Sequence, residues 1–190
     1  MSRKTETIAE KLKDERSRKV AFIAHCILNE NTIYLGRAFR EGCVDEVVDQ
    51  LQSEGIGIVQ MRCPEQRAWG GVLKKALWLG LDTRHTLYWF HWLYMPLFLL
   101  YTKLVYRSLA REVAREIKDY MDVGFEVVGI VGIRGSPSCG VYTTMDLANA
   151  AERMAGMSIE ELDRATFNER CVRDAGQRGA GCSWKCWQSS

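Results

Sequence analysis

Three short apolar runs stand out from the polar background of the chain. They are Lys19-Val20-Ala21-Phe22-Ile23-Ala24-His25-Cys26, Gly57-Ile58-Val59-Gln60-Met61 and Glu126-Val127-Val128-Gly129-Ile130-Val131-Gly132-Ile133. All three read as strands, and the third is β-branched and nearly continuous, as a strand buried on both faces is. Between them the spacing of apolar positions changes to that of a helix. Phe39, Val44, Val47, Val48 and Leu51 predict a helix over 37–54, capped by Gly55. Leu104, Leu109, Val113, Ile117 and Tyr120 predict another over 103–121, ended by Gly124. Residues 27–36 read as a loop, and Ala68-Trp69-Gly70-Gly71 as a turn. Beyond the third run, 145–157 and 159–171 predict two more helices, with Ser158 and Glu161 forming a capping box for the second.

Residues 87–101 break the pattern, being uncharged and dense in aromatic side chains. The stretch is shorter than the roughly 20 apolar residues of a spanning helix and contains His91 and Pro96. No transmembrane span is expected there. A buried or interfacial segment is, with a subunit contact, a substrate wall or a membrane-surface contact as the uses of such a surface.

Strand, helix, strand, inserted helical segment, strand, helices is the order of a parallel α/β sheet. The expected fold is therefore α/β: a Rossmann-like parallel sheet with helices on both faces and an aromatic helical insertion at 86–102. Residues 1–18 form a polar lead-in, 19–175 a single domain, and 176–190 a Gly- and Cys-containing tail. The length of 190 residues is ample for one core. A net charge of +2 with no basic block gives no reason to expect a nucleic-acid polymer as partner. No secretory segment opens the chain, and seven cysteines are an odd number for disulfide staples. The expectation is a reducing, cytoplasmic setting, in which cysteines lean towards metal or catalysis.

The placement of the cysteines carries the chemistry. In parallel sheets, ligands sit beyond the carboxyl ends of the strands. Cys26 and Cys63 follow the first two runs, and Cys139 follows the third in the small-residue loop Arg134-Gly135-Ser136-Pro137-Ser138-Cys139-Gly140. A closed zinc site would need a fourth ligand and usually the close C-x2-C pairs that are absent here. Thiolates also hold iron–sulfur clusters. Against both stands the plain alternative of three small residues packed at strand ends. A phosphatase-like loop would need Arg six residues after Cys26, where Thr32 stands. Gly132-Ile133-Arg134-Gly135 lacks the last glycine of a dinucleotide fingerprint. His25 beside Cys26 suggests a single nucleophile, but strand neighbours face opposite ways. Arg62, Arg67 and Arg134 flank the strand ends and suit an anionic substrate. Cys43 reads as a core residue of the first helix, while Cys171, Cys182 and Cys186 suit a second metal site, cluster protection or a disulfide.

The set Ala24-His25-Cys26-Ile27-Leu28, Arg62-Cys63-Pro64-Glu65 with Gly70-Gly71, and Gly135-Ser136-Pro137-Ser138-Cys139-Gly140 resembles the thiouracil desulfurase family over residues 19–145. The resemblance implies a 4Fe–4S cluster held by Cys26, Cys63 and Cys139 with one iron open to substrate. It implies catalytic roles for Glu65 in proton transfer and for Ser136 or Ser138 as the active-site hydroxyl. It also implies a small thiolated substrate, such as a thio-nucleobase, that loses its sulfur as hydrosulfide. The chain departs from the family's usual pattern after the first cysteine, after Cys-Pro-Glu and in the aromatic insertion. It therefore reads as a divergent relative. The competing expectation is a non-catalytic iron–sulfur or sulfur carrier that docks a partner through 87–101. An oligomer fits either reading.

Overall fold

The computed structural model describes residues 7–8, 10–76, 89–140, 143–145, 163–165 and 176–178. The architecture is α/β. Strand β1 (Lys19–Ala24) leads into a one-turn helix α1 (His25–Leu28) and a 3-10 turn at Glu30–Thr32. Helix α2 (Asp45–Ser53), strand β2 (Gly57–Met61) and helix α3 (Pro64–Ala68) follow. The long helix α4 (His91–Asp122) then returns the chain to strand β3 (Glu126–Val131). A separate antiparallel pair joins β4 (Thr143–Met145) to β5 (Gly176–Arg178).

The main sheet has the order β2-β1-β3, and both pairings are parallel. Val20, Ala21, Phe22, Ile23 and Ala24 are all buried. Because successive side chains on a strand point to opposite faces, an unbroken buried run means that both faces are covered. Val47 and Leu51 of α2 and Val113, Ile117 and Tyr120 of α4 supply that cover. The Tyr120 ring meets Phe22 edge-on at 5.9 Å. Phe22 and Ile23 are fully inaccessible, each contributing roughly 1.5–3 kcal/mol by burial. The β1–β3 ladder is irregular: Val20 pairs with Val127 but Ala21 pairs with Gly129, so Val128 is an extra residue on the edge strand.

Helix α4 divides into two halves with different tasks. Its C-terminal half covers the sheet, as the spacing of Leu109, Val113, Ile117 and Tyr120 predicts, although Leu104 is 56% exposed. In the N-terminal half, Phe98, Thr102 and Tyr106 form a buried seam at four-residue spacing against α3. Trp69 packs at 6.4 Å from the Tyr106 ring, and its indole N–H donates to Thr102 Oγ1 at 3.2 Å. The opposite side stays in solvent, with Trp89, Trp92, Leu97 and Leu100 more than half exposed. From His91 onward the aromatic stretch is thus the start of one continuous helix, half buried and half exposed, rather than a separate buried segment. Pro96 costs that helix one backbone hydrogen bond, and the seam on both sides of it holds the turn.

Four further expectations need correction. Strand β1 stops at Ala24, so His25 and Cys26 lie on a helical turn. The first long helix begins at Asp45, not Arg37, because the Val44 N–H, which such a helix would give to the Arg40 carbonyl, donates to Ile27 O at 2.8 Å, and the buried Glu30 carboxylate accepts the backbone N–H groups of Phe39 and Arg40 at 2.6 and 2.8 Å. Those bonds fold 37–44 back over the end of β1. Cys43 therefore lies before the helix, where its thiol donates to Asp45 Oδ1 at 2.9 Å, and is not a core residue. Met145 belongs to a strand paired with Gly176 rather than opening a helix, so the tail begins in β-structure. The rest of 145–157 lies outside the described residues, as do Ser158, Glu161, Cys171, Cys182 and Cys186; in 159–171 only 163–165 are described, with Arg164 and Ala165 helical. No helix among the described residues is long and apolar enough to cross a membrane.

Candidate metal centre

The strand order places the site. The chain runs from β1 to its neighbour β2 and then crosses to the other side of β1 for β3, so the order reverses between β1 and β3. Parallel sheets bind ligands in the crevice beyond the carboxyl ends of the strands at such a reversal. Cys26 sits in the turn after β1, Cys63 in the residue capping α3 after β2, and Cys139 in the loop after β3. All three line one cavity of about 390 Å³, together with Glu65, Ser136 and Ser138. Tyr34, Arg37, Phe39 and Arg134 complete its wall. A smaller apolar recess of about 50 Å³ lies on the α4 side of the same three cysteines, lined by Met61, Leu109, Val113 and Ile117.

Each ligand candidate is held by local structure. Pro64 opens α3 in the position where a missing N–H costs nothing, and the Cys63 sulfur accepts the Gln66 N–H at 3.4 Å. Ser136 closes the loop after β3: its hydroxyl accepts the backbone N–H groups of Ser138 and Cys139 at 3.3 and 3.2 Å. The Cys139 thiol donates to the same oxygen at 3.2 Å. Gly135 takes φ +76°, a left-handed value that suits glycine. Ser136 therefore closes the turn, and both serines line the cavity.

Glu65 sits within the first turn of α3 and is nearly buried. Its Oε1 accepts from Ser136 Oγ at 3.2 Å and from Ser138 Oγ at 3.0 Å. Its Oε2 faces the Lys74 ammonium at 3.8 Å. Ser138 is itself 1% exposed. The carboxylate is thus partnered on both oxygens, as a buried charge must be.

The thiols interact electrically. Side-chain hydrogen bonding between Cys26 and Cys139 shifts the two thiols in opposite directions. That bond brings Cys139 down to about 7 against the cost of burial, and the same bond, followed by burial, raises Cys26. Burial, then the Glu65 charge, pushes Cys63 up to about 11. Neutral thiols are the resting state of two of the three, and a bound cation would displace their protons. His25 contacts the Gln60 side chain, and burial lowers its pKa.

Three cysteines are a donor set of the kind that holds iron–sulfur groups. Among the described residues, no group of three or more His, Cys, Asp or Glu side chains is arranged to hold a metal ion. A cubane takes each thiolate on a different iron, so its ligands surround a space instead of meeting at a point. Cys26, Cys63 and Cys139 surround such a space, supply soft sulfur only, and would need Cys26 and Cys139 to turn apart.

The predicted arginines separate. Arg134 is exposed on the cavity rim, Arg62 borders the small recess, and Arg67 lines neither. Lys74 was not foreseen, because nothing in a Val-Leu-Lys-Lys stretch distinguishes a buried lysine from a solvated one. Arg37 and Tyr34 were hidden in a segment read as loop and helix, which the Glu30 bonds wrap over the cavity.

No family model matches the chain. It is similar to an uncharacterized protein of Methanocaldococcus jannaschii, 24% identical over 135 residues, which covers 67% of this chain and 70% of the relative. No solved structure matches.

Proposed function

We propose that the chain is a 4Fe–4S-dependent desulfurase acting on a small thiolated compound, with a thio-nucleobase as the class to which the motif resemblance points. The observation carrying this reading is that Cys26, Cys63, Cys139, Glu65, Ser136 and Ser138 all line one cavity at the strand-order reversal. Cys26, Cys63 and Cys139 would hold the cluster, and no fourth cysteine among the described residues reaches the cavity. When bound, such a cluster supplies a Lewis-acid iron with a position free for sulfur.

The remaining chemistry belongs to the protein. Net conversion replaces a C=S bond by C=O: water gives its oxygen to carbon, the C–S bond breaks, and sulfur leaves as hydrosulfide. No electron is exchanged. Glu65 takes a proton from the attacking water and returns one to the departing group. Ser136 and Ser138 orient that carboxylate through Oε1 and line the space where the reacting carbon would lie. The segment 34–40 walls the cavity with Tyr34 and Phe39, surfaces suited to a planar ring.

Anaerobic reconstitution with iron and sulfide tests this reading. The expected result is a brown protein with about four irons per chain that releases hydrosulfide from 4-thiouracil. Cys26→Ala, Cys63→Ala and Cys139→Ala should each lose the cluster. Unchanged iron content in all three would refute the assignment. A carrier reading draws on one observation, the exposed apolar side of α4 at Trp92, Leu97 and Leu100 with Trp89 just before it. It predicts cluster binding without hydrosulfide release.

A further inference from the structure

Lys74 carries two unfavourable features at once. It is 0% exposed, the only buried cation among the described residues. Its backbone also sits at φ +52°, in the left-handed region that residues with a side chain rarely adopt. Glycine would relieve the strain and methionine the desolvation, yet lysine stands here. The turn that holds it is tightly built. Gly70, at φ +86°, leaves no room for a Cβ, which would meet the Ala76 nitrogen at 3.0 Å. Lys74 N–H donates to Gly71 O at 3.0 Å, and Ala76 N–H to Trp69 O at 2.9 Å.

The ammonium has two partners. It donates to the Thr32 carbonyl at 2.8 Å and faces Glu65 Oε2 at 3.8 Å. Thr32 lies in the segment that follows Cys26, and Glu65 is on the helix capped by Cys63. One buried charge therefore joins the ends of β1 and β2. It also divides the labour of the carboxylate, since Oε2 is taken by Lys74 while Oε1 serves the two serines. The terminal torsion of a glutamate is soft and broad. With a partner on each oxygen it is fixed.

We propose that Lys74 is a positioning residue of this site, holding Glu65 by one oxygen so that the other meets the Ser136–Ser138 pair at the cavity. The proposal rests on the reading of Glu65 as the proton-transfer group. Lys74 does not itself line the cavity, so it acts through Glu65.

The test uses the full chain reconstituted anaerobically, with Lys74→Met, Lys74→Arg, Glu65→Gln and the double variant Lys74→Met/Glu65→Gln, and 4-thiouracil as probe. Lys74→Met should keep its iron and its KM but lose about 100-fold in kcat, the scale of an ångström-level misplacement. Lys74→Arg should recover most of that loss. In the Glu65→Gln background, Lys74→Met should lower kcat no further. Lost iron in Lys74→Met, or an equal fall in both backgrounds, would overturn the proposal in favour of a clamp on the fold. A second readout needs no turnover: the urea midpoint of the same four proteins and wild type. Lys74→Met should lower the midpoint, and adding Glu65→Gln should raise it again, because the stranded carboxylate is removed. Midpoints that fall additively overturn the proposal. If wild type releases no hydrosulfide, the desulfurase reading fails while the midpoint cycle still decides whether Lys74 holds Glu65.

Discussion

Replacing Ser138 by alanine removes one hydrogen-bond donor from a buried carboxylate while taking away almost no volume. The hydroxyl lies 3.0 Å from Glu65 Oε1 and is the shorter of the two serine contacts. A hydrogen bond to a charged group contributes about 1.5–3 kcal/mol. Ser136 still donates to the same oxygen at 3.2 Å, and Lys74 still faces the other. The expected loss therefore falls at the lower end, about 1.5–2 kcal/mol. For a chain of this length that corresponds to roughly 3–8 °C in Tm. The assay is thermal unfolding of the cluster-free protein at neutral pH, followed by far-ultraviolet circular dichroism. In a Glu65→Gln background the acceptor is neutral, and the cost of Ser138→Ala should shrink to about 1 kcal/mol. A Ser138→Ala protein that melts with wild type, or a cost that is the same in both backgrounds, would refute the claim that the serine serves a charged Glu65.

The cysteines should differ in reactivity before any cluster is bound. Cys139 is lowered to about 7 and Cys63 raised to about 11, and only the thiolate is nucleophilic. Alkylation of the cluster-free protein, read by peptide mass spectrometry, should therefore rise at Cys139 as pH passes through about 7, while Cys63 lags until strongly alkaline pH. Faster labelling of Cys63 at pH 7.5 would contradict that order. On α4, Phe98→Ala should cost about 3–5 kcal/mol because the ring is buried against Trp69 and Tyr106. Its neighbour Leu97 is 59% exposed, so Leu97→Ala should change the unfolding free energy by less than about 0.5 kcal/mol. Equal effects would show that the helix has another face buried in solution.

The parts of the fold that could be read from sequence are those decided by burial along the chain. A strand covered on both faces has to be apolar at every position; Val20–Ala24 is, whereas the equally apolar third run, expected to be buried on both faces, is the partly exposed edge strand β3. The convergence of Cys26, Cys63 and Cys139 followed from the parallel arrangement, since strands running the same way deliver their ends to one edge. What could not be read was settled by contacts distant in sequence. The apolar spacing of Phe39 suits a helix, but the Val44 N–H and the Gly42 carbonyl are bonded to Ile27 and Glu30 instead of within a helix. Pro96 suggests a break, and the seam of Phe98, Thr102 and Tyr106 against Trp69 overrides it. Lys74 is the plainest case. Its burial depends on a turn closed by Gly70 and on a carbonyl at Thr32, neither of which marks the residue itself.

The extra residue in β3 has a consequence for the site. Up to Val127 the edge strand is in step with β1, and from Gly129 onward it is one residue ahead. Alternation along a strand has a period of two, so pairing Val128 in a regular ladder would turn Ile130 and Val131 to the opposite faces. It would also carry the following loop one strand step, about 3.3 Å, further past the end of the sheet. Set aside as an extra residue, Val128 leaves Gly129, Ile130 and Val131 opposite Ala21, Phe22 and Ile23. The loop bearing Ser136, Ser138 and Cys139 is thus set in register with Cys26 by a solvent-facing residue near the start of the strand, at the edge opposite the cavity.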